Sequence, residues 1–598
     1  MTKRRWTVRR EKIDASAVAQ GLGVSVLTAK AMLHRGIHSP REAEIYLHGT
    51  LDDLSDARQI RDMEKGVRIL AQAIQEKKKI LIYGDYDVDG VSSITILYRA
   101  IAHFTNQVIC RSPHRQKDGY GLQMPAVEQI RQEGTEVVLS CDNGIASLDE
   151  ADRLAQYGVT FVVLDHHEPP QRGEGEEKQV VLPAAQAVID PKRPDCPSTY
   201  KWMCAGGLSY RFAALLFAEM GQKDVFDRQF GPQALAFAAI ATVCDIVDLT
   251  GDNRILVREG LKALRHTQNK GLRALLRATG REGKPLTETT LGFVIGPCIN
   301  AAGRLDSAET AVRLFLTEDE QEAQCLAEEL VALNTCRKSM TEEAVEQLIE
   351  EAEQSGLVQD RVMVFYAPQI HESVAGIVAG RLKEKYWRPV LVLTASSDGG
   401  AKGSGRSIPG YDMYLALVAV QDLLTRFGGH SMAAGLSLPV EAIDTLRRRL
   451  NENCRLTEQE LCPVLRLDAV AALGEVTLDA ARQLRALAPF GKENPKPLFG
   501  SCQVYVERLW RVGQNQDSLR LALRDVHTGV ARQGMYFRQA AEVEALLTDQ
   551  RGPEGAAAVF AGREGFFCDL AYTIEENEYQ GTSSVQLILE DMRISRGE

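Results

Sequence analysis

The stretch Ile80-Leu81-Ile82-Tyr83-Gly84-Asp85-Tyr86-Asp87-Val88-Asp89-Gly90 joins a short apolar run to three alternating carboxylates. The run is short, β-rich and closed by a turn, which predicts a strand buried on both faces of a parallel sheet. Similar runs recur at Val137-Val138-Leu139-Ser140 and Phe161-Val162-Val163-Leu164, each separated from the last by a helical stretch. Strand–helix alternation of this kind predicts a doubly wound α/β domain. Such sheets place ligands beyond the carboxyl ends of their strands. Those ends are acidic: Asp85, Asp87 and Asp89 follow the first run, Asp142 the second, and Asp165 with His166 and His167 the third.

Three such coincidences are hard to attribute to solvated loops. A calcium loop of the EF-hand type is excluded, because the twelfth position from Asp85 is Ile96 and not Glu. Asp245 ends Ala241-Thr242-Val243-Cys244-Asp245, after an apolar stretch at 234–239. Alone it reads equally as a helix cap or a ligand. A site rich in carboxylates, with one or two imidazoles and no thiolate, suits a hard divalent ion and shifts preference from Mg²⁺ toward Mn²⁺.

Outward from this core, residues 1–65 read as an N-terminal segment of short helices at 15–21, 27–35 and 40–47, the last after a Ser39 cap. Residues 318–355 lack proline and carry Ala323, Leu326, Leu330 and Leu333, then Met340, Ala344, Leu348 and Ala352, at helical spacing. They predict one long helix or two joined ones, a natural bridge between domains. A second α/β unit follows, with strands near 362–366 and 390–394 and glycine-rich segments at 399–410 and 428–435. Beyond about 455, alternating strands at 500–509, 519–523 and 585–589 predict a small OB-like barrel. The expected domains are therefore 1–65, 66–316, a bridging helix at 317–356, 357–454 and 455–598.

The 598 residues are too many for one ordinary core. No apolar stretch approaches the roughly 18 residues of a membrane span, and the basic Met1-Thr2-Lys3-Arg4-Arg5 start has no apolar segment behind it. Twelve cysteines without a CxxC pair predict reduced thiols and a cytoplasmic location. The net charge of −11 argues only weakly against nucleic acid, because a carboxylate cluster around metals makes a chain acidic beside a basic groove. In the barrel region Arg508, Trp510, Arg511, Arg520, Arg524, Tyr536, Phe537 and Arg538 mix charge with aromatic surface, as single-strand binders do. Any one of those aromatics reads more readily as core.

Gly84–Gly90 (GDYDVDG), Cys141–Gly144 (CDNG), Asp165–His167 (DHH) and Thr242–Asp245 (TVCD), in that order, resemble the four motifs of the DHH phosphoesterase superfamily. The resemblance implies that Asp85, Asp87, Asp89, Asp142, His166 and Asp245 hold two Mn²⁺ ions, with Mg²⁺ as the alternative. Asp142 would bridge them, and His167 would sit at the substrate phosphate, making Asp142 and His167 the catalytic pair. Two ions about 3.5–4 Å apart lower the pKa of a shared water and steady both oxygens of an in-line displacement at phosphorus. Where much of the superfamily begins its first motif with His, this chain has Tyr83, and Asp85 belongs to the GDYD form.

The rest of the chain is similar to the RecJ family of exonucleases, over roughly 15–595. Gly296-Pro297-Cys298-Ile299-Asn300-Ala301-Ala302-Gly303-Arg304 resembles GPRINAAGR, with Cys298 in place of Arg. Gly403-Ser404-Gly405-Arg406-Ser407-Ile408 and Phe427-Gly428-Gly429-His430 with Ala433-Ala434-Gly435 resemble the DHHA1 domain. Leu487-Ala488-Pro489-Phe490-Gly491-Lys492-Glu493-Asn494-Pro495 matches the segment leading into the OB domain. Ser112-Pro113-His114-Arg115 with Gly119-Tyr120-Gly121 resembles a further segment, usually with Asn at 114. His371 lacks the usual Pro-Gly after it, and Asp248 replaces a common Pro.

By this resemblance Arg115, Asn300, Arg304, Ser404, Arg406, Ser407, Gly429 and His430 bind substrate. Glycines let the backbone approach phosphates and Arg offers a matching planar fork. The family implies 5′→3′ removal of mononucleotides from single-stranded DNA in recombination and repair, with a single-strand-binding protein and a helicase as partners and no membrane. Polarity and the choice of DNA rest on the resemblance alone. Two other readings stand beside it: a DHH phosphodiesterase of very short oligonucleotides, which would need no barrel, and a non-catalytic binding protein, which would not need the intact ligand set.

Overall fold

In the larger of two compact units, residues 50–457, the three predicted strands lie side by side in one sheet. The computed structural model describes residues 4–10, 13–115, 118–119, 121–173, 179–396 and 399–595; Tyr120 of the predicted Gly-Tyr-Gly segment lies outside them. The sheet is wholly parallel and runs Val108–Arg111, Ile80–Gly84, Val137–Cys141, Thr160–Leu164, Ala187–Ile189. Its winding reverses between Ile80–Gly84 and Val137–Cys141, which makes the carboxyl ends of those two strands the expected ligand crevice.

Side chains alternate as a strand requires. Ile80 and Ile82 enter a core with the helices Met63–Gln75 and Val88–Ala102, while Leu81 and Tyr83 enter a second core with Met124–Gln132 and Leu148–Gln156. Both faces are covered, and each buried Ile, Leu or Val contributes about 1.5–3 kcal/mol. The two edge strands, only Val108–Arg111 and Ala187–Ile189, were not expected. They are too short to show a period.

The predicted bridge is a single 36-residue helix, Glu320–Ser355, capped by Asp319 and ended by Gly356 at φ 79°. Its first half buries Ala323, Leu326 and Leu330 in the parallel-sheet core. Its second half buries Ala344, Leu348 and Ala352 against a different sheet. That sheet is mixed, in the order Arg426–His430, Ala433–Leu438, Ala401–Arg406, Val390–Ala395, Met363–Tyr366. The glycine-rich segments are thus largely strands and not loops. At Gly403 a Cβ would stand 2.2 Å from the Val392 carbonyl oxygen, so the close approach of neighbouring strands requires glycine there.

The smaller unit joins residues 1–49 to 458–598. Five strands, Phe499–Val512, Ser518–Arg524, Ala531–Tyr536, Thr582–Ser595 and Phe566–Tyr579, close through pairing of the first with the last. A helix at Ala540–Phe560, broken at Gly552 beside Pro553, interrupts the barrel and was not foreseen. The N-terminal helices Ala15–Leu22, Val26–Leu33 and Pro40–His48 are as expected to within a few residues. They follow a strand, Arg5–Val8, that pairs in parallel with Val464–Leu467. Leu27, Met32 and Ala43 share the barrel's core, and His34 Nδ1 lies 2.9 Å from Asp468 Oδ1. No single helix among the described residues is long and apolar enough to cross a membrane.

Candidate metal centre

The first motif folds as a turn into a helix. Asp87 caps Val88–Ala102, its Oδ1 accepting the N–H groups of Asp89 (2.9 Å) and Gly90 (3.1 Å). A Cβ on Gly90 would meet the Asp85 carbonyl oxygen at 2.3 Å, and one on Gly303 would meet the Tyr86 carbonyl oxygen at 2.5 Å. Glycine on both sides therefore lets this acidic turn be clasped. Asp89 points back, and its two oxygens accept the N–H groups of Ala205 (2.8 Å) and Gly206 (2.7 Å), which open the helix Ala205–Glu219. Asp142 stands at φ 60°, left-handed backbone that Asp tolerates and that clusters at functional sites.

The six predicted ligands converge. His166 Nε2 lies 3.2 Å from Asp142 Oδ1, 3.4 Å from Asp89 Oδ2 and 3.7 Å from Asp245 Oδ2. Donor atoms of Asp85, Asp87 and Asp142 form one group within 4.8 Å of one another, as do those of Asp89, His166 and Asp245, and those of Asp142, His166 and His167. Asp142 and His166 each belong to two groups.

Burial holds the Asp85, Asp142 and Asp245 carboxyls well above the usual range, and their acidic neighbours add to it. Asp89 is pushed up to about 6 by burial and by Asp87. Burial lowers His166 to about 3, helped by the charge of His167, so this imidazole is neutral and competent as a ligand. Asp85 Oδ1 is buried without a hydrogen-bond partner. A single neutral imidazole cannot satisfy so many buried carboxylate oxygens, whereas a divalent cation can. The donor set fits such an ion: oxygen-rich, with imidazole and without thiolate.

His167 differs from its neighbour. Burial works against its charge, but its Nδ1 donates to Asp165 Oδ1 at 2.8 Å and the Asp165 carboxylate lifts it to about 9. Asp165, fully buried, also accepts the N–H groups of His166, His167 and Ile145. It is the organiser of this corner, a role the sequence reading did not assign. Asp190 was missed outright. It follows the Ala187–Ile189 strand, is fully buried with Oδ2 unpartnered, and is raised to about 8 by burial and by Asp165. Its strand is too short to show a period, so the only signal was an Asp directly after the apolar Ala187-Val188-Ile189.

The predicted substrate residues divide. Arg304 donates from Nη1 to the Ser373 carbonyl at 3.1 Å, and burial together with Arg115, Arg337 and Arg406 lowers it to about 10. Arg115 lies over the Tyr86 ring at 5.2 Å. Ser404 and Arg406 both border Gly376. His430 is the neighbour of Arg406 across the sheet through Ala433, and Gly429, at φ 144°, sits beside it. Asn300 and Ser407 are placed differently. Asn300 Oδ1 accepts the Val88 N–H at 3.2 Å and so holds the acidic turn. Ser407 is buried, its hydroxyl donating to the Tyr411 carbonyl at 2.6 Å, so it braces the turn after the Ala401–Arg406 strand.

In the barrel, Trp510 is 38% exposed, with Arg508 and Arg520 over its ring at 5.4 and 5.7 Å. Phe537 is exposed, but Tyr536 is buried in the core and is no stacking platform. Arg511 pairs with Glu544 at 2.6 Å, and Arg524 with Glu507.

Comparison with known proteins gives three family matches: the DHH family, N-terminal domain, at residues 79–242; the DHHA1 domain at 359–456; and the RecJ OB domain at 467–591. The chain is 34% identical to the single-stranded-DNA-specific exonuclease RecJ of Bacillus subtilis over 88% of this chain and 65% of that one. It is 34% identical to the RecJ of Dickeya dadantii over 95% of this chain and 96% of that one. Among solved structures, the Mn²⁺ complex of RecJ from Thermus thermophilus matches with a TM-score of 0.80 at 27% identity, over 99% of this chain and 80% of that one.

Proposed function

The chain belongs to the RecJ family of single-stranded-DNA-specific exonucleases, and on that footing we propose that it removes mononucleotides from the 5′ end of single-stranded DNA in recombination and repair. The observation that carries the catalytic part is the convergence of Asp85, Asp87, Asp89, Asp142, His166 and Asp245 at a topological switch point, with Asp142 and His166 each shared between two donor groups. Sharing of that kind suits two ions. Mn²⁺ is the first choice and Mg²⁺ the second, and when bound they supply Lewis-acid polarisation of a phosphoryl oxygen and acidification of a water.

The chain's own groups do the rest. Asp165 holds the His167 imidazolium in one orientation, so a cation with a mobile proton stands beside the ligand cluster. Arg115, Arg304 and Arg406, with Ser404, Gly429 and His430, grip the terminal phosphate of the strand. That grip fixes which linkage is cut, and water adds across the P–O3′ bond to release a nucleotide with a 3′ hydroxyl. In this reading 66–316 is the catalytic domain, 317–356 the bridge, 357–454 the domain that holds the strand's end, and 455–598 the part that binds the strand's bases. Trp510 between Arg508 and Arg520 is a suitable platform for that binding. A cytoplasmic location, with a single-strand-binding protein and a helicase as partners, completes the proposal.

The test uses long DNA labelled separately at each end, with Mn²⁺, Mg²⁺ or EDTA. Mononucleotides released from the 5′ end of single strands, only with metal and not from duplex, are expected. Cleavage confined to oligomers of a few nucleotides would replace this reading with the short-substrate phosphodiesterase.

A further inference from the structure

The cationic cluster does not stop at the three arginines assigned above. The helix Glu372–Tyr386 carries Ser373, whose carbonyl holds Arg304, and Gly376, where a Cβ would strike Arg406 Nη2 at 2.6 Å. One turn further is Gly380, with nothing within 4 Å of where a Cβ would be, and beside it the exposed Arg381. Residues 373, 376, 380 and 381 share one broad side of that helix. Along that side Arg406 stands against Gly376, and Arg381 follows about a turn and a half later.

Arg337, on the long helix Glu320–Ser355, is joined through Asn334 to Cys298 of the helix Gly296–Leu305, which also carries Arg304. It is fixed in place, its Nε and Nη2 donating to Asn334 Oδ1 at 3.1 and 2.8 Å, while buried Asn334 reaches Cys298 Sγ at 3.4 Å. The positive charge of Arg381 bears on Arg337, and that of Arg337 on Arg304. Glu342 acts on Arg337 and Asp87 on Arg304, but neither is within salt-bridge distance, and Arg304, Arg337, Arg381 and Arg406 form no ion pair among the described residues. Arg115, Arg304, Arg337 and Arg406 are partly buried beside like charges, with Arg381 exposed, an arrangement that gains from anions.

We infer that Arg337 and Arg381 form a second anion subsite, continuous with the Arg115–Arg304–Arg406 grip, that takes the outer phosphates of a polyphosphate carried at the 5′ end of a strand. This rests on the proposed function for its direction. With the scissile linkage at the acidic cluster and the 5′ phosphate at Arg304, a group reaching along the helix from Ser373 toward Arg381 is attached beyond that phosphate. Hydrolysis then follows the same balance: water adds across the first P–O3′ bond, and the product keeps its 5′ triphosphate and gains a 3′ hydroxyl.

Two measurements test it. In the first, the full-length chain in EDTA is titrated with sodium tripolyphosphate and with orthophosphate. Tripolyphosphate should bind at least about tenfold more tightly, as expected when two further charge-assisted contacts form. Arg337→Gln with Arg381→Gln should bring the two affinities together, while Arg337→Lys, which keeps the charge, should retain most of the preference. In the second, single strands with 5′ mono- or triphosphate ends are compared by kcat/KM, and the triphosphate-to-monophosphate ratio should fall about tenfold in the double variant. An unchanged preference in that variant, or none in the wild type, would overturn the subsite. Preference for tripolyphosphate with triphosphate ends refused would overturn the strand-end form and leave a site for free polyphosphate. Failure of 5′ release from monophosphate ends under every metal would instead sink the parent reading, and the tripolyphosphate titration would still decide the subsite.

Discussion

The acidic crevice of the larger unit and the outer face of the barrel spend polar groups in opposite ways. In the crevice, Asp85, Asp89, Asp142 and His166 are buried, their positions fixed by strand ends, helix N-termini and a glycine clasp. On the barrel, Trp510, Arg508 and Arg520 are placed by strand alternation alone and stand in solvent. Chemistry at phosphorus needs atoms held to a few tenths of an ångström, which requires buried, over-determined carboxylates. Base stacking tolerates sliding, so an exposed ring between two cations is enough. The contrast predicts that substitutions in the crevice act on turnover and those on the barrel act on binding.

The largest effect should come from Asp142→Ala. It removes a donor common to two ligand groups, and kcat on 5′-labelled single strands should fall at least ~10³-fold. Binding of the same strand in EDTA, read by fluorescence anisotropy, should change less than about threefold. A loss of binding as large as the loss of turnover would break the contrast. Next comes Asp165→Asn, which removes the carboxylate that orients His167 while leaving every proposed ligand side chain in place. A loss of about 10²-fold in kcat is expected, in line with other groups that orient metal-site residues. A variant as active as wild type would remove Asp165 from the machinery.

On the barrel the expected effect is smaller and of the other kind. Trp510→Ala should weaken single-strand binding about tenfold, from the ~1–3 kcal/mol a base–aromatic stack is worth, and leave kcat at saturating DNA nearly unchanged. Tyr536→Ala, one residue from exposed Phe537 but buried, should lower the melting temperature instead. If Tyr536→Ala weakened binding without loss of stability, the assignment of these two neighbours to core and surface would be reversed.

The same contrast explains what could be read from the chain. Asp85, Asp142 and Asp165 were legible because a strand buried on both faces must be apolar, so acids at its end stand out. The bonds of Asn300 and Ser407 were not legible, because a motif fixes which residues are present and not which way each turns. Asn300 serves the Val88 amide and Ser407 the Tyr411 carbonyl. The glycine-rich segments gave no strand signal, because strands packed as tightly as Gly403 against Val392 need glycine for steric reasons that composition cannot separate from turns. Pairing of Arg5–Val8 with Val464–Leu467 is non-local and left no trace in either segment.

The smallest effect concerns stability, and it sharpens the contrast most because it needs no DNA. Without metal, the Asp142 carboxyl has a folded pKa well above its unfolded value, chiefly through burial. The folded state therefore binds the proton more tightly, and ionisation opposes folding. The penalty is absent below the unfolded pKa of about 3.9 and is fully in place once the pH exceeds the folded value, so stability falls as pH rises through that window. Asp142→Asn, neutral at every pH, escapes it. In EDTA this variant should melt about 2–4 °C above wild type at pH 7.5 and level with it at pH 4, by calorimetry. Added Mn²⁺ should reverse the order at pH 7.5, because the ion turns the wild-type carboxylate from a burden into a ligand. Asp569, on the Phe566–Tyr579 barrel strand and only half-buried, provides the control. Asp569→Asn should show neither the pH-dependent gain nor the response to Mn²⁺. If it showed both, the effect would belong to the charge of the whole chain and not to the crevice.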